Sequence, residues 1–107
     1  MAGIVVGMLA GCTLPDSVVP GEPNYSKYSE KPPKELAACV LPAWQKEVSK
    51  TTQTGISNGY RITAPGMISA DETLDIIKNK DGSRVSLYQG PPWAKSGALR
   101  QAVRDCL

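Results

Sequence analysis

Beyond residue 33 the spacing of hydrophobic positions changes from helical to alternating and back to helical. Leu36, Cys39, Val40, Ala43, Trp44 and Val48 recur at intervals of three and four, which describes one face of an α-helix. Pro33 suits the first turn, where the missing N–H has no intrahelical partner to lose. Pro42 falls inside the pattern and predicts a kink or a break. This face puts Cys39 on the buried side and makes Trp44 the main core anchor. Ser49 to Thr54 is polar and carries no period, and Gly55-Ile56-Ser57-Asn58-Gly59 is rich in turn formers. Tyr60-Arg61-Ile62-Thr63 alternates and predicts a short strand with Tyr60 and Ile62 on one face. Ala64-Pro65-Gly66 ends it, which leaves Met67 and Ile68 in or beside a loop.

The clearest hairpin follows. Glu72 to Asn79 and Arg84 to Gln89 read as its strands, with Asp81-Gly82 as the turn, a pair suited to positive φ at both central residues. That turn pairs Lys80 with Ser83, Lys78 with Val85 and Ile76 with Leu87. Side chains alternate along a strand, so Leu74, Ile76, Val85 and Leu87 share the core face. Thr73, Asp75, Ile77, Ser86 and Tyr88 then face outward. Gly90-Pro91-Pro92 closes the hairpin, and Trp93 to Leu107 reads as a helix that is regular from about Ser96. Its apolar stripe is Leu99, Ala102, Val103 and Cys106, with Lys95, Arg100, Arg104 and Asp105 mainly opposite. The expected fold is a small two-layer α+β domain, αβββα. In it an amino-terminal and a carboxy-terminal helix pack one face of a three-stranded antiparallel sheet.

The first third of the chain has a different character. Ile4 to Ala10 is continuously apolar, about half of the ~20 residues that a spanning helix needs. Small residues follow it, as at the end of a signal-peptide core. Leu9-Ala10-Gly11-Cys12 resembles the lipobox of bacterial lipoproteins: an apolar residue, two small ones and the acceptor cysteine. Such signals usually begin with Lys or Arg, and Met1-Ala2-Gly3 has neither. The resemblance implies a signal over residues 1–11 and acylation of Cys12, with several acyl chains giving the durable membrane attachment that one chain cannot. It also implies an address. The residue after the cysteine is Thr13 rather than Asp, which under the enteric sorting rule sends a lipoprotein to the outer membrane, facing the periplasm. Residues 12–32, with Pro15, Pro20, Gly21, Pro23 and Pro32 among small polar residues, read as a flexible tether. Tyr25 and Tyr28 within it are expected to pack on the domain or lie exposed, with a docking motif as the alternative. Residues 33–107 form the folded unit.

With Cys12 assigned to lipid, Cys39 and Cys106 remain, and in an exported protein an even remainder reads as a disulfide. The chain has 12 Lys and Arg, 10 Asp and Glu, and no His or Phe. A net charge of +2 gives no reason to expect a nucleic-acid partner. The absence of His removes the commonest general base and metal ligand. No phosphate-binding glycine loop or paired-cysteine metal motif occurs, and Asp81-Gly82-Ser83 alone is no Ca²⁺ loop. A serine hydrolase would have only Lys as its base. No enzyme activity, cofactor, metal or small-molecule substrate is therefore expected. The expected function is a membrane-anchored envelope module that binds a periplasmic or outer-membrane protein, with Ile77 and Tyr88 on the outward sheet face as its candidate surface. The alternative is a lipoprotein of a phage or mobile element that blocks a host receptor or channel. A third reading is a structural lipoprotein without a specific partner.

Overall fold

The fold is described from a computed structural model over residues 22–66, 71–90 and 96–107. The elements run β1 (Tyr25–Ser29), α1 (Pro33–Glu47), β2 (Thr52–Ile56), β3 (Gly59–Ala64), β4 (Glu72–Asn79), β5 (Gly82–Tyr88) and α2 (Gly97–Cys106). The sheet has five antiparallel strands in the order β1-β5-β4-β3-β2. The two-layer α+β architecture is as the periodicity predicts, but the three-stranded αβββα arrangement is not. Strands β1 and β2 lie at the two edges, and neither has the hydrophobic alternation of a core strand. All of β2 except half-buried Ile56 is exposed, so no buried face imprints a period on Thr52-Gln53-Thr54-Gly55. Strand β1 falls in the segment that reads as tether and pairs with β5 from Tyr25↔Leu87 to Ser29↔Ser83.

The core lies between the sheet and both helices. Leu36, Val40 and Trp44 of α1 and Leu99 and Val103 of α2 meet Ile62, Leu74, Ile76, Val85 and Leu87. Each such side chain contributes about 1.5–3 kcal/mol on full burial. Trp44 is fully buried, and its indole Nε1 donates to the Leu99 carbonyl at 3.0 Å. The polar edge of the largest core residue is thus satisfied by the neighbouring helix. Helix α1 continues through Pro42. Its buried residues are Leu36, Ala37, Val40 and Trp44, whereas Cys39 is exposed. At roughly 100° per residue Cys39 falls on the flank of that stripe, from where it reaches sideways to α2. There it forms a disulfide with Cys106, which is buried. Helix α2 begins at Ser96, whose hydroxyl accepts from the Leu99 N–H at 3.2 Å, a side-chain N-cap.

The central hairpin differs from expectation in its turn. The observed pairs are Asn79↔Gly82, Lys78↔Ser83, Ile76↔Val85 and Leu74↔Leu87, so Lys80-Asp81 is the turn and Lys80 takes φ 57°. The register is two residues from that of an Asp81-Gly82 turn. A two-residue slip preserves the faces, so Leu74, Ile76, Val85 and Leu87 are still the core set. Gly82 has another task. A β carbon there would collide with the Ser29 carbonyl oxygen and the Tyr28 hydroxyl, so glycine permits β1 to approach. Gly59 similarly has no room for a β carbon beside the Ile76 carbonyl. It follows Asn58, which has φ 63° in the β2–β3 turn.

Polar bonds tie β1 into the domain. The Ser83 hydroxyl donates to the Lys31 carbonyl at 2.7 Å, and Lys31 Nζ donates to the Cys106 carbonyl at 2.8 Å. The Arg100 guanidinium lies 5.1 Å from the centroid of the Tyr25 ring, a cation–π distance. Tyr25 is half-buried against the core while Tyr28 is exposed.

Candidate functional site

Both described helices pack against one face of the sheet. Cross-strand partners share a face, so the opposite face can be read from the register in three rows. The first is Thr52, Thr63, Thr73 and Tyr88. The second is Thr54, Arg61, Asp75, Ser86 and Ser26. The third is Ile56, Gly59, Ile77, Arg84 and Tyr28. Ile77 and Tyr88, the residues singled out from sequence, do lie on this outer face and are half-buried. They are not neighbours: Tyr88 pairs with Thr73 in the first row and Ile77 with Arg84 in the third. Ile56, Arg84 and Tyr28 join Ile77 in its row. Tyr28 and Ile56 were not identifiable from sequence, because their strands carry no hydrophobic period.

Between these rows sits an ion pair. Arg61 on β3 and Asp75 on β4 are directly opposed. The guanidinium donates from Nε to Oδ1 at 2.7 Å and from Nη2 to Oδ2 at 2.9 Å. This two-pronged geometry fixes both side chains as well as pairing their charges. Their side chains are only 13% and 12% exposed. The centre of the outer face is therefore a rigid polar plate with apolar and aromatic groups toward its ends.

Two further carboxylates, Asp71 and Glu72, have structural partners. Asp71 accepts from the Gly66 N–H at 2.9 Å. Buried Glu72 accepts from Gln89 Nε2 at 2.8 Å and from the Ser96 N–H at 3.0 Å, which places its charge at the positive end of α2. Among the described residues no group of three or more His, Cys, Asp or Glu converges as metal ligands. Nor is any described helix long and apolar enough to cross a membrane. The lipobox, Cys12 and the first half of the tether lie outside the described residues, as do Met67, Ile68, Pro91, Pro92, Trp93 and Lys95.

The chain matches no protein-family model, no curated protein and no solved structure. The class defined by the described residues is a disulfide-linked two-layer α+β domain with both described helices on one face of its sheet.

Proposed function

We propose that the chain is a membrane-anchored bacterial lipoprotein whose domain is a protein-interaction module of the cell envelope, tethered at an acylated Cys12. The observation that carries this reading is the outer sheet face. Ile56, Ile77, Tyr28 and Tyr88 stand there beside Arg84 and the fixed Arg61–Asp75 pair. Aromatic and Arg side chains on a rigid base have the composition of interface centres. Support for the anchor comes from Leu9-Ala10-Gly11-Cys12.

A photo-cross-linking residue at position 77 or 88, in the full chain expressed in its native bacterium, tests the surface. Capture of one discrete partner from 77 and 88, but not from exposed Lys46 on α1, supports the module. Equal yields from all three positions would remove the argument for a specific face. Cys12→Ser tests the anchor: the protein should leave the membrane fraction, and unchanged fractionation would refute acylation.

A further inference from the structure

The chain enters the sheet at Tyr25, beside the last residues of β5. The β2–β3 turn, the β4–β5 turn and the start of α1 all gather at the opposite end. That far end is basic. Lys31, Lys34, Lys78, Lys80 and Arg84 lie there against Glu30, Glu35 and Asp81, a balance equal to the net +2 of the whole chain. Lys34, Lys78, Lys80 and Arg84 are exposed. Among the described residues none of these four forms an ion pair.

Two clefts flank the β4–β5 hairpin at this end. One, of about 320 Å³, is lined by Pro32, Pro33, Lys34, Asn58, Tyr60 and Lys78, with Gly59 at its back. The other, of about 360 Å³ on the outer side, is lined by Tyr28, Asn79, Lys80 and Arg84. Among the described residues no carboxylate lines either cleft. The first has an apolar wall of two prolines and a tyrosine, with a lysine on each of two elements. Such a cleft complements an apolar side chain with negative charge next to it.

We infer that this end of the domain docks an acidic segment of its protein partner, seating an apolar or aromatic side chain between Pro32, Pro33 and Tyr60 and its carboxylates against Lys34, Lys78, Lys80 and Arg84. The inference rests on the interaction-module reading and assigns the partner's chemistry. A protein segment fits better than a bilayer surface. The two clefts open on different faces of the hairpin, and a bent chain can follow both where a planar array of headgroups cannot. Unpaired cations around an apolar cleft raise the encounter rate and set orientation, and salt weakens both effects.

The test is fluorescence anisotropy of two labelled probes with the full chain in detergent, an Asp/Glu-rich peptide with one central Trp and the same peptide with Gly for Trp. Vesicles of phosphatidylglycerol are tested by co-sedimentation with the Cys12→Ser chain in the absence of detergent. The Trp peptide should bind most tightly, and added salt should weaken it. K78E/K80E should cost at least about tenfold, the effect of roughly 1.4 kcal/mol. K46E/K50E makes the same change of charge on exposed residues near the far end of α1 and should leave binding within about twofold. Circular dichroism of both variants controls for folding. Equal losses in the two variants would reduce the effect to diffuse charge and overturn the inference. So would indifference to the Trp, or a preference for the vesicles. Specific cross-linking from Ile77 or Tyr88 without peptide binding would leave the module reading standing and remove this inference alone.

Discussion

Opening the Cys39–Cys106 disulfide should remove a large part of the domain's stability. The bridge spans 67 residues, and the chain-entropy relation for a loop of that length gives about 4 kcal/mol at 25 °C. A domain of ~85 residues has about 4–13 kcal/mol in total, so the bridge supplies from a third to nearly all of it. The two cysteines differ in surroundings, which separates cross-linking from packing. Cys39 is exposed, so Cys39→Ser loses little besides the cross-link. Cys106 is 3% exposed, and Cys106→Ser additionally buries a hydroxyl, at a cost of about 1–3 kcal/mol. The expected losses are therefore about 4 kcal/mol for Cys39→Ser and about 5–7 kcal/mol for Cys106→Ser, with the double variant matching the latter. Urea unfolding followed by tryptophan fluorescence, with reductant present for the single variants, measures all three against the oxidised parent. Fully buried Trp44 is a suitable reporter. A loss below about 1 kcal/mol for Cys39→Ser would refute the entropic argument. A larger loss for Cys39→Ser than for Cys106→Ser would refute the burial argument.

Trp44→Phe removes the bond to the Leu99 carbonyl and part of the core volume. It should cost about 2–3 kcal/mol in the same assay, and less than about 0.5 would mean that the carbonyl finds another partner. Gly82→Ala should displace β1, with a loss of about 2–4 kcal/mol. Amide exchange should show Tyr25–Ser29 losing protection while β3 and β4 keep theirs, and retained protection in β1 would contradict the close approach at Ser29. Lys80→Gly relieves a side chain held at positive φ and should raise stability by up to about 1 kcal/mol. A fall in the urea midpoint would show that the Lys80 side chain contributes more than its strain removes.

Elements that bury a face were legible in the sequence, and the others were not. Leu74, Ile76, Val85 and Leu87 alternate because the helices cover them, and β4 was readable to the residue. Thr52-Gln53-Thr54 has no such imprint, because an edge strand is held by backbone bonds that every residue can make. Tyr25 and Tyr28 stand three apart, so they fall on opposite faces and conceal the alternation of Tyr25, Lys27 and Ser29. Missing β1 also explains the misplaced turn. Without a strand beside Gly82, its glycine reads as a demand of the turn, whereas the structure assigns it to the approach of Ser29. Of the candidate surface, the outward direction of Ile77 and Tyr88 followed from β4 and β5 alone. The basic far end did not follow, because its charges come from two stretches, 30–34 and 78–84, that only the fold brings together.

The placement of β1 gives the domain a mechanical polarity. A pull directed along β1 runs across its five residue pairs with β5. The pairs are loaded together in shear and must slip as a set. A pull across the sheet would open them one at a time. Load that reaches Lys31 passes to α2 through its bond to the Cys106 carbonyl, and from there through a covalent bridge to α1. Neither hairpin turn lies on that route. A partner held at the hairpin end would tug the domain along its strands, which would bear the tension as staves rather than as a zipper.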